Sequence, residues 1–238
     1  MVVNTIMFFL LSYGTYAIIN YDEMRYHFQY LKFWRIVMKP FWESEYLDRE
    51  KSTFGNQSKE VEDIVPHLKK GARILDVGCG DGRHSLYLAN LGFQVDAFDI
   101  SENAINKLNY LKEISNLSIN TFVCDILNFD FKYSYDLIIV HGVLQFVEKT
   151  KQALVIDLLK KWTNNNGYHI VALFTDGEPI PPDLKDVMIG VFKEEEIKEY
   201  YKDWQTIMFE SYKFHDEHEN GIKHCHAVNK IVAQKTVD

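Results

Sequence analysis

The stretch ILDVGCGDGRHSLYLA, residues 74–89, combines an apolar run, three glycines at alternate positions (Gly78, Gly80 and Gly82) and an amphipathic segment. This order predicts a buried strand, a tight turn and a helix. Glycine-rich turns between a strand and a helix let a ligand approach the backbone closely, and many of them bind phosphates. The pattern indicates the fold, and the function depends on whether this turn holds the phosphates of a nucleotide or another cofactor.

The sequence from residue 59 onward alternates helical and extended patterns with short connections, which predicts an α/β fold. Five extended runs are almost continuously apolar, as expected for parallel strands that are covered on both faces. These strands are predicted over 72–78, 93–99, 119–125, 135–142 and 167–174, and helices over 59–71, 83–92, 101–115 and 148–163.

The C-terminal part has a different pattern. The segment PIPPD (residues 179–183) predicts an irregular loop, because proline neither continues a helix nor fits a central strand. A charged helix is predicted over 193–204, and strands over 205–217 and 226–237 are predicted to form an antiparallel hairpin with a turn at 218–221. The expected architecture is a Rossmann-like sheet of seven strands, mainly parallel, whose last strand is antiparallel.

Composition and charge exclude several classes of protein. The 238 residues are 47% hydrophobic, enough for a sizeable core, so a disordered chain is not expected. The formal net charge of −8 argues against a non-specific nucleic-acid-binding protein, which would be basic. The three cysteines, Cys79, Cys124 and Cys225, are far apart, which suits a reducing cytoplasm better than a disulfide framework or a four-cysteine zinc site.

The spacing of the glycine turn decides between two kinds of cofactor. A dinucleotide-binding G-x-G-x-x-G turn beginning at Gly78 would need a glycine at position 83, where this sequence has Arg83. The sequence has instead D-x-G-x-G-x-G from Asp76 to Gly82. This pattern resembles motif I of class I S-adenosylmethionine-dependent methyltransferases. The resemblance implies S-adenosyl-L-methionine as the cofactor, which has no phosphates, with Asp76 near its cationic amino end.

Acidic residues at the ends of three successive predicted strands support that interpretation. Asp76, Asp99 and Asp125 end these strands, and open α/β sheets bind ligands at the carboxyl ends of their strands. We expect Asp99 to accept the ribose hydroxyls and Asp125 to accept the adenine amine; an ordinary loop aspartate is the alternative at each position. The full predicted cofactor site comprises Asp76, Gly78, Gly80, Asp81, Arg83, Asp99, Ile100, Asp125, Ile126, His141 and Gly142.

Two further segments are predicted to line the same site. The stretch VHGVLQF, residues 140–146, follows the fourth strand and places the backbone of His141 and Gly142 beside the methionine part of the cofactor. The alternative for His141 is a histidine that only hydrogen-bonds within its loop. Phe54 and Gly55 lie where related enzymes fold an N-terminal lid over the cofactor, or they belong to a plain loop before the next helix.

A narrower resemblance covers about residues 40–237. The segments 74–101, 167–179 and 192–210 are similar to the corresponding stretches of the tellurite-resistance methyltransferases, the TehB-like family. The resemblance implies methyl transfer to a small, soft acceptor such as tellurite, selenite or a thiol-like compound. In such an in-line displacement the enzyme contributes mainly positioning and electrostatics, and a soft acceptor needs no strong general base.

Histidines near the C-terminus are the candidates for the acceptor side. They are His215, His218, His224 and His226. The resemblance implies a hairpin that carries histidine and arginine residues implicated in catalysis, whereas this chain has no arginine after Arg83. Lys223, His224 and His226 would then supply the positive charge for an oxyanion, and this departure puts tellurite itself in doubt more than methyl transfer.

Other interpretations of these histidines stay open. A His-x-His pair on a strand has both rings on one face, so His224 and His226 together with His215 or His218 would suit a transition metal. A solvated hairpin end is the remaining alternative. The predicted catalytic residues are His141, His224 and His226, and no metal is predicted.

Residues 1–37 form a separate N-terminal extension, and the methyltransferase domain is predicted over 38–238. Residues 1–21 contain no charged side chain and have about the length of a membrane span, although polar residues interrupt them. Three alternatives stay open for the extension: a membrane-associated helix, a helix packed on the domain, or residues upstream of a true start at Met38.

Three other functions are kept as alternatives. The first is methyl transfer to another small or lipophilic acceptor, such as a thiopurine or a quinone-like molecule. The second is a nicotinamide-dependent oxidoreductase, against which Arg83 argues, and the third is a non-catalytic S-adenosylmethionine-binding regulator. The predicted partner is a small-molecule acceptor; no nucleic acid is expected, and membrane contact is expected only through residues 1–37.

Overall fold

The computed structural model describes residues 40, 42–217 and 223–236, together with the backbone of 7–10 and 16–19. The chain divides into two compact units, Met1–Lys39 and Pro40–Asp238. In the first unit, β1 (Met7–Leu10) pairs antiparallel with β2 (Tyr16–Ile19). The rest of residues 1–39 lie outside the described part of the chain, so the three alternatives for the N-terminal extension stay open. Among the described residues, no helix is long and apolar enough to cross a membrane.

Seven strands form the central sheet of the second unit. They are β3 (Arg73–Val77), β4 (Gln94–Asp99), β5 (Ile119–Val123), β6 (Tyr135–His141), β7 (Thr163–Phe174), β8 (Gln205–Glu217) and β9 (Lys223–Gln234). Their spatial order is β5-β4-β3-β6-β7-β9-β8. Strands β3 to β7 are parallel, and β9 runs antiparallel to both β7 and β8. The prediction of a mainly parallel sheet with an antiparallel last strand is confirmed.

The direction of the chain across the sheet reverses at β3. From β3 the chain proceeds to β4 and β5 on one side and then returns to β6 on the other side. Open α/β sheets bind ligands at such a switch point, beyond the carboxyl ends of the strands. The glycine turn follows β3 directly and therefore lies at this point.

The described helices of the second unit are α1 (Trp42–Glu45), α2 (Lys59–Ile64), α3 (Arg83–Asn90), α4 (Glu102–Ile114), α5 (Lys149–Lys161) and α6 (Ile197–Tyr200). All but α1 contribute buried residues to the cores on the two faces of the sheet. Residues that alternate along each strand contribute to two separate cores. One core contains the buried face of α5, and the other contains the buried faces of α2, α3 and α4.

Two helices are shorter than the sequence predicts. The prediction of a helix over 193–204 is wrong in length, because Glu195 has a φ of 62°, outside the helical region, and only α6 is α-helical there. The helix predicted over 59–71 ends as α2 at Ile64 and continues as a 3₁₀ turn that contains Pro66, which has no N–H for a helical hydrogen bond. The turn predicted at 218–221 lies outside the described residues.

A buried histidine ties β7 to the segment after α6. The Nε2 atom of His169 lies 2.7 Å from Thr163 Oγ1, and its Nδ1 atom lies 2.8 Å from the Tyr201 hydroxyl. Because the Thr163 hydroxyl donates to the Leu159 carbonyl, the Nε2–H of His169 donates to Thr163. Burial, with the nearby charges of Lys160 and Lys235, lowers the pKa of His169 to about 3.

We expect His169 to make the protein sensitive to acid. As the pH falls from the usual histidine pKa near 6.5 towards about 3, the unfolded chain binds a proton that the folded chain does not. The free energy of unfolding then falls by up to about 1.4 kcal/mol per pH unit from this group. Urea unfolding at pH 7 and pH 5 measures the loss, which is expected to be smaller in His169→Gln. An equal loss in both proteins would contradict the assignment.

Candidate cofactor and active site

The glycine turn after β3 has a backbone that only glycine adopts readily. Gly78, Gly80 and Gly82 have φ values of 62°, 55° and 89°. A Cβ at Gly78 would overlap the Val143 side chain, so the loops after β3 and β6 are in close contact. A Cβ at Gly80 would lie 3.0 Å from the Tyr46 hydroxyl. The turn therefore presents bare backbone towards the segment that contains Tyr46.

A pair of glycine substitutions tests how tightly the turn is packed. A Cβ at Gly82 would overlap Leu108 Cδ1 of α4, whereas nothing lies within 4 Å of a Cβ at Gly92, whose φ is 85°. Both alanine variants carry the left-handed backbone cost of roughly 1–2 kcal/mol. We expect Gly82→Ala to lose about 1–3 kcal/mol more, because its methyl group overpacks the core. Chemical denaturation measures both variants, and equal losses would contradict this packing.

Asp76 is buried at the carboxyl end of β3. Its Oδ2 atom accepts a hydrogen bond of 2.6 Å from the Ser85 hydroxyl of α3. Burial raises the pKa of Asp76 to about 6, and the hydrogen bond from Ser85 and the charge of Arg83 oppose that rise. The carboxyl group therefore changes its charge close to neutral pH.

Asp99 joins the end of β4 to the glycine turn. Its Oδ2 atom accepts from the backbone N–H of Gly80 at 2.9 Å, and its Oδ1 atom accepts from the N–H of Ser101 at 2.8 Å. Burial raises the pKa of Asp99, and these two N–H groups act against the rise. The predicted ribose-binding carboxylate is thus held directly beside the predicted cofactor turn.

The third predicted acid lies after β5. Asp125 begins a short 3₁₀ helix, Ile126–Asn128, and its Oδ1 atom accepts from the Leu127 N–H at 2.9 Å. Ile126 is buried in the core, while Ile100, which follows β4, is 71% exposed. The structure therefore has Asp76 in the next-to-last position of β3, Asp99 in the last position of β4 and Asp125 just after β5, at the carboxyl ends where the sequence predicts them.

Asp81 is engaged by the protein itself. Its Oδ2 atom accepts from the Thr53 N–H at 2.7 Å and lies 3.0 Å from Lys107 Nζ of α4. Both charged side chains are almost completely buried. Lys107 also donates to the Lys51 carbonyl and to the Thr53 hydroxyl. The buried ion pair thus anchors residues 51–54 at the glycine turn, and the predicted cofactor contact of Asp81 stays a prediction.

Aromatic side chains from the segment before α2 cover the turn. Tyr46 is buried over Gly80, and its ring meets the Phe54 ring edge-on, with centroids 6.3 Å apart. Burial, followed by the nearby carboxylates of Asp99 and Asp81, raises the pKa of the Tyr46 hydroxyl. The sequence analysis predicts that Phe54 covers the cofactor turn, but it does not predict this role for Tyr46. The aromatic stretch FWESEY at 41–46 is the sequence feature that indicates Tyr46.

His141 lies at the carboxyl end of β6, between two charged groups. Its Nδ1 atom is 3.1 Å from Arg83 Nη2, and its Nε2 atom is 3.4 Å from Glu60 Oε1 of α2. The Arg83 guanidinium only donates hydrogen bonds, so Nδ1 accepts and the proton of the neutral ring lies on Nε2, facing Glu60. Arg83 also donates to the Phe54 carbonyl at 3.0 Å. His141 therefore joins the glycine turn to α2.

The charges around His141 extend to β9. Lys230 Nζ lies 3.2 Å from Glu60 Oε2. Burial alone would raise the pKa of Glu60, but the hydrogen bond with His141, a backbone hydrogen bond and Lys230 lower it overall, so Glu60 is ionised. Burial lowers the pKa of His141 in spite of Glu60, which keeps the ring neutral. Sequence reasoning misses Glu60 and Lys230, because each lies alone in an ordinary helix or strand pattern.

The histidines of the hairpin form a second cluster. His224 and His226 lie on β9, where the His226 ring stacks on Phe174 with centroids 4.3 Å apart and lies 5.2 Å from Phe214. His215 pairs with Cys225 across the two strands, while Asp216 pairs with His224, so His215 is on the opposite face. Lys223 is exposed and pairs with Glu217, and the candidate His218 lies outside the described residues.

The remaining predicted residue, Gly142, follows β6. It has a φ of 76°, and its N–H donates to the Ala172 carbonyl at 2.8 Å. The structure therefore links the glycine turn to Asp99 and, through Arg83, to His141 at the ends of β3, β4 and β6, whereas Asp125 and Ile126 follow the edge strand β5. It places the three predicted catalytic histidines in two clusters, one with Arg83 and Glu60 and one on the hairpin.

The strand order, the glycine turn and the acids at the carboxyl ends of β3, β4 and β5 define the fold of a class I methyltransferase. The model of one protein family, described as "Tellurite resistance protein TehB", matches residues 41–228. The chain belongs to the TehB family.

Individual relatives agree with this assignment. The chain is 38% identical over 165 residues to a "Probable S-adenosyl-L-methionine-dependent methyltransferase TehB" of Haemophilus influenzae, covering 67% of this chain and 56% of that protein. The crystal structure of TehB from Haemophilus influenzae matches with a TM-score of 0.68 and 32% identity, covering 76% of this chain and 63% of that one. The chain therefore spans little more than half the length of its relative.

More distant structures share the fold alone. The 1,6-didemethyltoxoflavin-N1-methyltransferase of Burkholderia thailandensis matches with a TM-score of 0.57 at 18% identity, covering 75% of this chain and 78% of that chain. That structure holds its substrate and S-adenosylhomocysteine, the product of methyl transfer.

Proposed function

We propose that the protein is an S-adenosylmethionine-dependent methyltransferase that acts on a small, soft acceptor. The observation that carries this proposal is the direct link between the glycine turn and Asp99, under the aromatic cover of Tyr46 and Phe54. The relative from Haemophilus influenzae is named for the same cofactor. The acceptor class proposed is tellurite, selenite or a thiol-like compound.

The residues around the turn fit this cofactor. The glycines put no side chains on the turn, whose cover is the Tyr46 and Phe54 side chains, and the carboxylate of Asp99 is an acceptor of the kind that two ribose hydroxyls require. In this proposal Asp76 offers a negative charge for the amino end, and Asp125 and Ile126 contact the adenine. When bound, S-adenosylmethionine supplies a methyl group that its sulfonium has already activated.

The surroundings of His141 favour an acceptor that needs no deprotonation. The Nδ1 lone pair of His141 faces Arg83 at 3.1 Å, and its Nε2 atom lies 3.4 Å from the Glu60 carboxylate, so the neutral ring has no free lone pair. A general base needs a free lone pair within hydrogen-bond distance of the acceptor's proton. A chalcogen or thiolate acceptor attacks with its own electron pair, so the chain only has to orient it and exclude water. His224 and His226 stay predictions for acceptor binding.

The raised pKa of Asp76 predicts how cofactor binding depends on pH. Below about pH 6 the carboxyl group is protonated, so binding of a cationic amino group must first expel that proton. We expect affinity to be constant near pH 7 and to fall by up to about tenfold per unit below pH 6. Calorimetric titrations from pH 7 to pH 5 measure this dependence. Asp76→Asn is expected to bind the cofactor weakly and with an affinity that no longer changes below pH 6, whereas Asp125→Asn is expected to keep this pH dependence. An unchanged pH dependence in Asp76→Asn would show that Asp76 is not its source.

We also propose a reducing compartment, such as the cytoplasm. Cys79, Cys124 and Cys225 are free thiols. Burial raises the pKa of Cys79 well above its usual value, so this thiol beside the cofactor turn stays protonated and unreactive.

Release of S-adenosylhomocysteine tests the proposed function. Purified protein is incubated with S-adenosylmethionine and, separately, tellurite, selenite with thiol, simple thiols, a thiopurine and a quinol, and volatile products are collected. Turnover with the chalcogens or thiols supports the proposal, and Asp99→Asn is the matched inactive control. Turnover only with the quinol or the thiopurine would replace the acceptor class. Cofactor binding without turnover on any acceptor would favour a non-catalytic regulator.

A further inference from the structure

Three side chains that commonly bind metals converge at the free end of the hairpin. One ligating atom from each of Asp216, His224 and His226 lies within 4.8 Å of the other two. The methyl-transfer proposal gives His224 and His226 a predicted part in acceptor binding, but it gives no role to Asp216 and none to the three side chains as a group. Asp216 in particular is not among the residues that the sequence singles out.

The register of the hairpin explains why the three side chains meet. Asp216 on β8 lies directly opposite His224 on β9, and His226 follows two positions later on the same face. Side chains directly opposite each other, or diagonal by two positions on one face, are near neighbours in an antiparallel pair. The rings of His224 and His226 are nearly perpendicular, at 79°, with centroids 4.5 Å apart.

The surroundings fix one ligand and leave another open to solvent. His226 is buried against the Phe174 ring, parallel to it within 10°, which holds the imidazole in one orientation. Asp216 is exposed, and its Oδ1 atom accepts from the Glu217 N–H at 2.8 Å. A site with one rigid ligand and one exposed ligand is accessible to a metal from solution.

The donor set selects the class of ion. Two imidazole nitrogens and one carboxylate oxygen suit Zn²⁺, Co²⁺, Ni²⁺ or Fe²⁺, whereas Ca²⁺ and Mg²⁺ prefer oxygen donors alone. Three protein ligands leave a coordination position for water or another small ligand. We propose that Asp216, His224 and His226 bind a divalent transition metal of the Zn²⁺ class at the end of the β8–β9 hairpin.

Binding of Co²⁺ and Zn²⁺ to the untagged, full-length protein tests the site. The protein is first freed of metals by dialysis against a chelator and is then titrated with Co²⁺, whose visible absorption reports nitrogen and oxygen ligation, and with Zn²⁺ in competition with a chromophoric chelator. We expect one equivalent of metal per chain. Affinity is expected to decrease in acid, because a metal binds only deprotonated ligands and so competes with protons for them.

The variants avoid the buried ligand, since removal of His226 disturbs packing as well as binding. His224→Ala and Asp216→Asn are each expected to weaken binding by more than the roughly 10–100-fold that loss of an outer-shell partner costs. His215→Ala is the matched control, because His215 lies on the same hairpin but on its opposite face. Far-UV circular dichroism confirms that each variant is folded. Absence of stoichiometric binding, or equal binding by His224→Ala and His215→Ala, would overturn the proposal.

Discussion

Replacement of Asp99 by asparagine is expected to weaken S-adenosylmethionine binding by about 100-fold. In the proposed complex the carboxylate accepts hydrogen bonds from two ribose hydroxyls, and a hydrogen bond to a charged group contributes about 1.5–3 kcal/mol. A loss of about 3 kcal/mol corresponds to about a 100-fold change in the dissociation constant. The amide also presents a donor where Asp99 accepts from the N–H of Gly80 or of Ser101.

Isothermal titration calorimetry measures this change. Glu102→Gln is the matched control, because Glu102 is an exposed acid near Asp99 that lies at the start of α4. It is expected to bind the cofactor as the unmodified protein does. Thermal unfolding of both variants without cofactor separates lost contacts from a damaged turn. Wild-type affinity in a folded Asp99→Asn variant would exclude Asp99 from the cofactor site.

Replacement of Lys107 by methionine is expected to destabilise the protein by about 3–5 kcal/mol. The side chains of Lys107 and Asp81 are 1% and 2% exposed, so the variant leaves the Asp81 charge buried without its partner. The variant also loses the hydrogen bonds that Lys107 donates to the Lys51 carbonyl and the Thr53 hydroxyl. Because these bonds hold residues 51–54 at the glycine turn, cofactor affinity is expected to fall as well.

Urea unfolding measures the loss of stability. Lys59→Met is the matched control: Lys59 pairs with Asp63 on the exposed face of α2, and little effect is expected there. The double variant Asp81→Asn/Lys107→Met removes the stranded charge and is expected to recover part of the stability. If Lys107→Met unfolded at the same urea concentration as Lys59→Met, the buried ion pair would not have the role described.

Much of the fold follows from local patterns. The five apolar strands, the positive φ values of the glycine turn and the positions of Asp99 and Asp125 all depend on residues close in sequence, whose periodicity and turn chemistry are visible directly. The prediction fails where local strain interrupts a favourable pattern. The glutamate-rich segment at 193–204 has helical composition, but the backbone at Glu195 leaves the helical region.

The charged network of the site was not predictable from the sequence. Glu60 and Lys230 are separated by 170 positions, and Asp81 of the glycine turn pairs with Lys107 of α4. Each residue alone is typical of an exposed charge on a helix or strand. Only the tertiary packing makes them buried partners, and no local pattern carries that information.

Calorimetric titration of S-adenosylmethionine into the purified protein tests the central claim most directly, with NADH as the comparison ligand. We expect one binding site per chain for S-adenosylmethionine and for S-adenosylhomocysteine, and no measurable binding of NADH. Binding of NADH in their place, or binding of none of the three, would contradict the assignment of the turn from Asp76 to Gly82 to a methionine nucleoside.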